Sequence, residues 1–305
     1  MSKKVLITGA NGLLGQKLVN LYLEKPGKQL IATGIGPCRH PLKHRIHYIE
    51  LDIRDGQQVD QILSAEKPDT VIHTAAMTNV DACETDKEGC DAMNVTAVDH
   101  IATACAKNNI HMIHLSTDFI FDGKEGPLDE EAEPNPLSYY GWSKLKGENI
   151  VKEKAGKWAI LRTVLVYGVV HDMSRSNIVL WAKGALEKRQ DIKVVDDQFR
   201  TPTLAEDLAM GCFLAEDKGA TGIYNISGKD FMSIYELVER VADFYGLPKD
   251  RIHRSDSSTL NQPARRPPVT GFKVNKAMKE LGYNPHSFEE GLAIVRDQLL
   301  AQANG

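Results

Sequence analysis

No feature of the 305-residue sequence restricts the fold more than its opening. A short β-branched run, Val5–Thr8, leads into Gly9-Ala10-Asn11-Gly12-Leu13-Leu14-Gly15, and the apolar-periodic stretch Leu13–Leu23 follows without a spacer. Glycines three apart at a strand-to-helix junction meet three needs at once. The turn must be tight, the backbone must approach a pyrophosphate, and the helix must pack closely on the strand. A helix starting there offers free N–H groups and the positive end of its dipole to phosphates. In this context the spacing predicts a dinucleotide site in the first turn of a βαβ unit, formed by Gly9, Asn11, Gly12, Leu13, Leu14 and Gly15.

The pattern then repeats. Strand-like runs at Leu30–Thr33, Ile46–Leu51, Thr70–Thr74, His111–Ser116 and Trp158–Arg162 alternate with amphipathic stretches at Gln57–Ala65, Lys87–Lys107 and Tyr139–Lys154. The strands are almost continuously apolar, as strands covered on both faces must be. This order predicts an α/β fold, a Rossmann-type doubly wound parallel sheet with right-handed crossovers. Beyond Gly168 the rhythm changes. Helices are expected at Asn177–Lys188, Leu204–Leu214, Ile234–Tyr245 and Val274–Leu281, with short strands at Ile192–Val195 and Gly222–Ile226. The expected division is a dinucleotide-binding domain over 1–168 and a smaller C-terminal, mainly substrate-binding lobe over 169–305, with part of the later chain free to return to the first domain.

Composition bears on what the chain does not do. Hydrophobic residues make up 42% and charged residues 26% of the sequence, and the net charge is -4. Nucleic-acid binding usually needs a basic face, so none is expected. No apolar run approaches the roughly 18–20 residues of a membrane span, and the first residues lack the long apolar stretch of a signal peptide. Five cysteines without a Cys-x-x-Cys pair fit a reducing, cytoplasmic setting better than a disulfide framework. No His-Glu-x-x-His is present, and no metal site is expected. A homodimer is compatible with these readings.

An NAD site usually carries an acid at the end of the second strand to hold the ribose 2′-hydroxyl. None lies between Leu30 and Leu42, whereas Arg39, His40 and Lys43 follow closely. A cation there suits a 2′-phosphate, so NADPH is expected ahead of NADH. Asp52-Ile53, after the third strand, is placed to meet an adenine; Asp52 could equally cap the helix that begins near Gly56.

Tyr140-Gly141-Trp142-Ser143-Lys144 sets a phenol and an ammonium one helical turn apart, on one face. A phenol with a reference pKa of about 10 is a poor acid or base at neutral pH, and a nearby cation is expected to lower it. Tyr139 is one residue out of phase with Lys144. Upstream, Ser116-Thr117-Asp118 ends the fifth strand, where open α/β sheets place their ligands, and Thr117 or Ser116 could hydrogen-bond a carbonyl. The acidic, proline-containing segment 122–138 reads as a surface loop that also suits the border of a site.

Together, Gly9-x-x-Gly12-x-x-Gly15, His73-Thr74-Ala75-Ala76, Asn94-Val95, Ser116-Thr117-Asp118-Phe119-Ile120-Phe121-Asp122-Gly123 and Tyr140-Gly141-Trp142-Ser143-Lys144 resemble the extended short-chain dehydrogenase/reductases. The stretch from Ser116 is most similar to dTDP-4-dehydrorhamnose reductases. Arg162-Thr163-Val164-Leu165-Val166-Tyr167-Gly168 and Ala264-Arg265-Arg266-Pro267 extend that similarity. The resemblance implies reduction of a 4-keto-6-deoxysugar nucleotide, with Tyr140 as proton donor, Lys144 on the nicotinamide ribose, Thr117 on the keto oxygen, and Ala75 and Ala76 beside the cofactor. It also implies a tryptophan where this chain has Leu165, so the sugar pocket is expected to be roomier. An epimerase of the same superfamily is the neighbouring reading. A dehydratase is disfavoured, because Asp118-Phe119 stands where Asp-Glu would be expected beside the threonine. The non-catalytic β subunit of methionine adenosyltransferase is similar as well, and implies cofactor binding without turnover.

A nucleoside diphosphate needs cationic partners. Arg200, Arg265 and Arg266 are candidates, because a guanidinium fork binds phosphate bidentately. Asp118 and Asn177 are further candidates for the substrate side, and Asn177 could instead cap the helix it opens. Arg162, inside a strand run, is expected to be a structural ion-pair partner.

Overall fold

The structure is a computed structural model that describes residues 3–172, 176–259 and 262–303. In its first half, β1 (Lys3–Thr8), α1 (Leu13–Leu23), β2 (Lys28–Gly34), β3 (His47–Glu50), α2 (Gly56–Glu66) and β4 (Thr70–His73) follow in order. Then come α3 (Val80–Thr85), α4 (Lys87–Asp91), α5 (Ala97–Lys107), β5 (His111–Thr117), α6 (Tyr139–Lys154), β6 (Lys157–Thr163) and β7 (Val166–Tyr167). The later chain adds α7 (Ile178–Glu187), β8 (Ile192–Val195), β9 (Phe199–Arg200), β10 (Thr203–Leu204), α8 (Ala205–Asp217), β11 (Gly222–Asn225) and β12 (Met232–Ser233). It ends with α9 (Ile234–Tyr245), β13 (Ile252–Ser255), α10 (Asn275–Leu281) and α11 (Phe288–Ala303).

Seven strands form one parallel sheet in the order β11-β6-β5-β4-β1-β2-β3. Strand alternation explains its two covers. Val5, Ile7, Ile72, Ile113 and Leu161 face one layer with Leu18 and Val19 of α1 and Leu208 and Cys212 of α8. Leu6, Val71, Met112 and Ile160 face the other, with Val59 and Leu63 of α2, Ile101 of α5 and Val151 of α6. Strand order reverses at β1, which lies between β2 and β4, so a crevice opens at the carboxyl ends there. From the later chain, α8 covers the sheet and β11 extends it beyond β6.

The remaining segments build a separate core of Val179, Leu186, Val194, Leu237, Val241 and Leu292. Its last helix, α11, has no counterpart in the pattern read above, although Phe288, Leu292 and Val295 recur at helical spacing and are buried. The single helix expected over Lys87–Lys107 is interrupted by a π turn at Ala92–Thr96. Asn94 accounts for it. Its amide oxygen accepts from Met77 N–H at 2.9 Å and its amide nitrogen donates to Met77 O at 3.0 Å, pulling the turn toward the chain beyond β4.

Candidate active site

The crevice is a cleft of about 760 Å³ lined from the ends of β1, β2, β4, β5 and β6 and from α1, α6 and the start of α7. At its floor, Gly9 has φ +72°, and a Cβ there would lie 2.9 Å from the Ala75 backbone. A Cβ on Gly15 would collide with the Gly9 carbonyl and come within 2.6 Å of Ala10 Cα, so only glycine lets α1 pack this close. Gly12 opens α1 without a side-chain cap, and no acid occupies the first turn. The first N–H groups of α1 are therefore unopposed by negative charge at a wall formed by Gly12, Leu13 and Leu14, the chemistry a pyrophosphate requires. Thr74 donates its hydroxyl to Thr8 O at 2.6 Å and thereby fixes the turn that carries Ala75 and Ala76 into the cleft.

Asn11 also lines the cleft, but its side chain is engaged by the segment after β2: it donates to Pro37 O at 3.1 Å and to the Tyr48 hydroxyl at 3.0 Å, and accepts from Arg39 N–H at 2.9 Å. The Arg39 side chain is exposed at the cleft wall and makes no hydrogen bond or ion pair among the described residues. Asp52 does not cap α2 and is not among the residues lining the cleft. Its carboxylate is forked by Arg54, at 2.6 Å from Nη2, which holds its pKa below the ordinary value. Asp55 caps α2 instead, accepting from the N–H groups of Gln57 and Gln58. Leu51 and Ile53, on either side of Asp52, line the cleft where Asp52 does not.

Thr117, Tyr140 and Lys144 line the same cleft. Ser138 caps α6 through Gly141 N–H, and a Cβ on Gly141 would strike the Phe119 carbonyl, so α6 rests directly on the end of β5. That contact sets the Tyr140 phenol beside the Thr117 hydroxyl, whose influence favours the phenolate. Burial outweighs it, and the phenol is pushed above its ordinary range. The expected lowering by Lys144 is not what sets this group; desolvation does, because the charged form has lost its water. Burial also brings the Lys144 ammonium down to about 8, with Glu148 acting in the opposite direction. Tyr139 points elsewhere, with its hydroxyl on Asp91 at 2.8 Å.

Asp118 is buried behind Thr117. Its carboxylate accepts from the Thr117 hydroxyl at 3.1 Å and from Thr270, and Arg200 Nε lies 3.6 Å away. Arg200 is buried rather than in the cleft, and its Nη atoms donate to the carbonyls of Phe199, Pro267 and Pro268. These carbonyls take three of the four Nη hydrogens, and the group is buried away from the cleft lining, so it presents no fork to a diphosphate there. Arg266 is paired with Asp81 at 2.7 Å, whereas Arg265 is exposed and outside the cleft lining. Asn177 caps α7 through Leu180 N–H, donates to Gly168 O at 2.7 Å, and also lines the cleft. Arg162 is buried with Glu148 as its partner at 2.8 Å.

Leu165, with φ +39°, lines the cleft near Ile178. Met93, Thr78 and Val80 also line it and were not anticipated from the sequence. Met93 lies within the π turn, a feature with no signature in the residue pattern.

This arrangement has relatives. Over 293 residues the chain is 32% identical to the probable low-salt glycan biosynthesis reductase Agl14 of Haloferax volcanii, covering 95% of this chain and 96% of that protein. It is 31% identical over 255 residues to the methionine adenosyltransferase 2 subunit beta of Xenopus tropicalis, covering 82% of this chain and 74% of that one. Among solved structures, dTDP-4-dehydrorhamnose reductase from Bacillus anthracis, in complex with NADP, superposes with a TM-score of 0.83 at 27% identity, covering 98% of this chain and 100% of that chain. Residues 3–301 match the family described as the RmlD substrate binding domain, and the chain belongs to that family.

Proposed function

We propose that this chain is a nicotinamide-dependent reductase of a 4-keto-6-deoxysugar nucleotide related to dTDP-4-dehydrorhamnose. The observation that carries the reading is the presence of Thr117, Tyr140 and Lys144 in one cleft with the glycine turn of α1. The cleft fits a dinucleotide, since Gly9 and Gly15 leave no room for side chains and α1 presents an unopposed N-terminus. A nicotinamide cofactor bound against the glycine turn of α1 would supply the hydride for the keto carbon. As charge develops on the sugar oxygen, the Thr117 hydroxyl turns its one hydrogen from Asp118 to that oxygen and Tyr140 delivers its phenolic proton. A buried phenol with a raised pKa is fully protonated at neutral pH and so begins each turnover as an acid. Lys144 holds the nicotinamide ribose and stabilises the phenolate left behind.

On the substrate side, Asn177 and Leu165 border the sugar, and Asp118 acts through Thr117. Of Arg200, Arg265 and Arg266, Arg265 is exposed and makes no hydrogen bond or ion pair among the described residues, so it is the one assigned to the diphosphate, reaching it from outside the cleft lining. An indole at position 165 would offer a flat face and one N–H donor, and leucine offers neither. Losing a donor to a sugar hydroxyl costs about 1–3 kcal/mol. Activity on dTDP-4-dehydrorhamnose itself is therefore expected to be weak to moderate, and a relative of that sugar is the better substrate.

The likeness to methionine adenosyltransferase β subunits favours a second reading, cofactor binding without turnover. Following NADPH oxidation against a panel of 4-keto sugar nucleotides decides between the two. Turnover supports the reductase. NADPH binding with no turnover on any member of the panel supports the regulatory reading. A kcat/KM of about 10⁴ M⁻¹s⁻¹ or more on dTDP-4-dehydrorhamnose would show that Leu165 is a tolerated variation.

A further inference from the structure

We propose that Tyr48, acting through Asn11, is a positioning residue that sets the preference of this cleft for a phosphorylated adenosine ribose. The proposal rests on the dinucleotide reading of the cleft. It begins from the first half of the loop between β2 and β3, which is tied down at two points. At its start, the Tyr48 hydroxyl donates to Gly36 O at 2.9 Å and accepts from Asn11 Nδ2 at 3.0 Å. Asn11 shares its remaining donor capacity between Pro37 O and Ile35 O, and its Oδ1 takes the Arg39 N–H. Gly34 makes room for this phenol: a Cβ there would sit 3.0 Å from the Tyr48 hydroxyl. Farther along the loop, His40 is buried against Asn20 of α1 at 3.0 Å and accepts from Leu42 N–H.

Arg39 lies between these two anchors. Its backbone is fixed, and its guanidinium is exposed at the cleft wall without a bonded partner among the described residues. Asp118, at the end of β5, is the one carboxylate among the described residues that line the cleft; Glu50, beside Gly34 at the β2 end, makes no ion pair with that guanidinium among the described residues. A surface arginine on a mobile loop binds phosphate weakly, because ordering it on binding offsets the attraction. An arginine whose backbone is already held avoids the backbone share of that cost. A ribose 2′-phosphate gains from the held arginine, and a 2′-hydroxyl gains little. The hydroxyl of Tyr48 should therefore affect the two cofactors unequally.

The test measures dissociation constants for NADPH, NADH and adenosine 2′,5′-bisphosphate by titration calorimetry, with melting temperatures as a check on folding. Wild type is expected to bind NADPH more tightly than NADH. Arg39→Ala should weaken NADPH about 10- to 100-fold through the lost charge-assisted bond. Tyr48→Phe, which keeps the ring and removes the oxygen, should weaken NADPH and the bisphosphate about 3- to 10-fold and leave NADH within about twofold. In the double variant Y48F/R39A, the Tyr48 effect should vanish, because it acts through Arg39. Equal weakening of NADPH and NADH by Tyr48→Phe, no weakening at all, or full additivity in the double variant would each overturn the proposal while leaving the dinucleotide site intact. A wild-type protein that bound none of the three probes would overturn both.

Discussion

Tyr140 and Lys144 stand one helical turn apart, yet burial governs each of them more than the other does. The phenol is driven up and the ammonium is driven down to about 8. The pair thus begins with the phenol protonated and the lysine partly charged near neutral pH, which suits a reductive proton delivery. Tyr140→Phe is expected to lower kcat by at least about 10²-fold, the usual scale of general acid catalysis. Affinity for NADPH, measured by titration, should be almost unchanged, since the phenol does not anchor the dinucleotide. Near-wild-type turnover would remove Tyr140 from the role of donor. A second expectation concerns pH. Lys144 loses its charge as pH rises through about 8, so kcat/KM should fall on the alkaline side beginning near that value. Lys144→Arg, which keeps a charge across this range, should lack that limb even if its rate is low. A wild-type profile flat from pH 7 to 10 would contradict the assignment.

The π turn before α5 is the element that adapts an ordinary helix to this cleft. Asn94 is fully buried, and its amide bonds both polar groups of the Met77 backbone and the Ser143 hydroxyl of α6 at 3.0 Å. Gly147 completes the joint, because a Cβ there would come within 2.9 Å of Asn94 O. Asn94→Ala would leave the Met77 groups without these partners, and about 1–3 kcal/mol of stability should be lost. Urea unfolding would show this as a lower midpoint at unchanged slope; an unchanged midpoint would mean that other groups can replace the amide. The same element marks a limit of sequence reading. The glycine turn, the central strands and the Tyr140–Lys144 helix were legible because local periodicity and fixed spacing write them directly. The break at Ala92–Thr96 was not, because its cause is a contact between Asn94 and a loop seventeen residues upstream. Helix α11 was missed for another reason: its apolar positions carry helical spacing, but Glu289, Glu290 and Arg296 dilute the pattern.

At the scale of the whole molecule, the 262–272 connector joins the two cores. Asp81 of α3 holds Arg266 and Ala264 N–H, Phe199 N–H donates to Pro268 O, and Leu128 N–H donates to Gly271 O. Arg200 is central to this join, because it binds the connector carbonyls and faces Asp118 at the end of β5. From the sequence it reads as a phosphate ligand, since nothing local reveals that its counter-ion lies on a distant strand. The structure makes it a structural cation, and that difference is measurable. Arg200→Met would leave the Asp118 carboxylate buried without its cation, and removing one partner of a buried pair typically costs about 3–5 kcal/mol. The loss should depend on pH, with a sign that follows from protonation. Burial already raises the Asp118 pKa above its ordinary value, while Arg200 and the hydroxyls of Thr270 and Thr117 oppose the rise. Without Arg200 the folded-state pKa rises further, whereas the unfolded carboxyl still titrates near about 3.9. Between those two values the folded protein binds the extra proton, so stability falls as pH increases and recovers toward acid. The variant should therefore lie further below wild type at pH 7 than at pH 5 in urea unfolding. An Arg200→Met deficit equal at both pH values would show that Asp118 does not depend on this arginine for its charge, and that Arg200 acts only through the connector carbonyls.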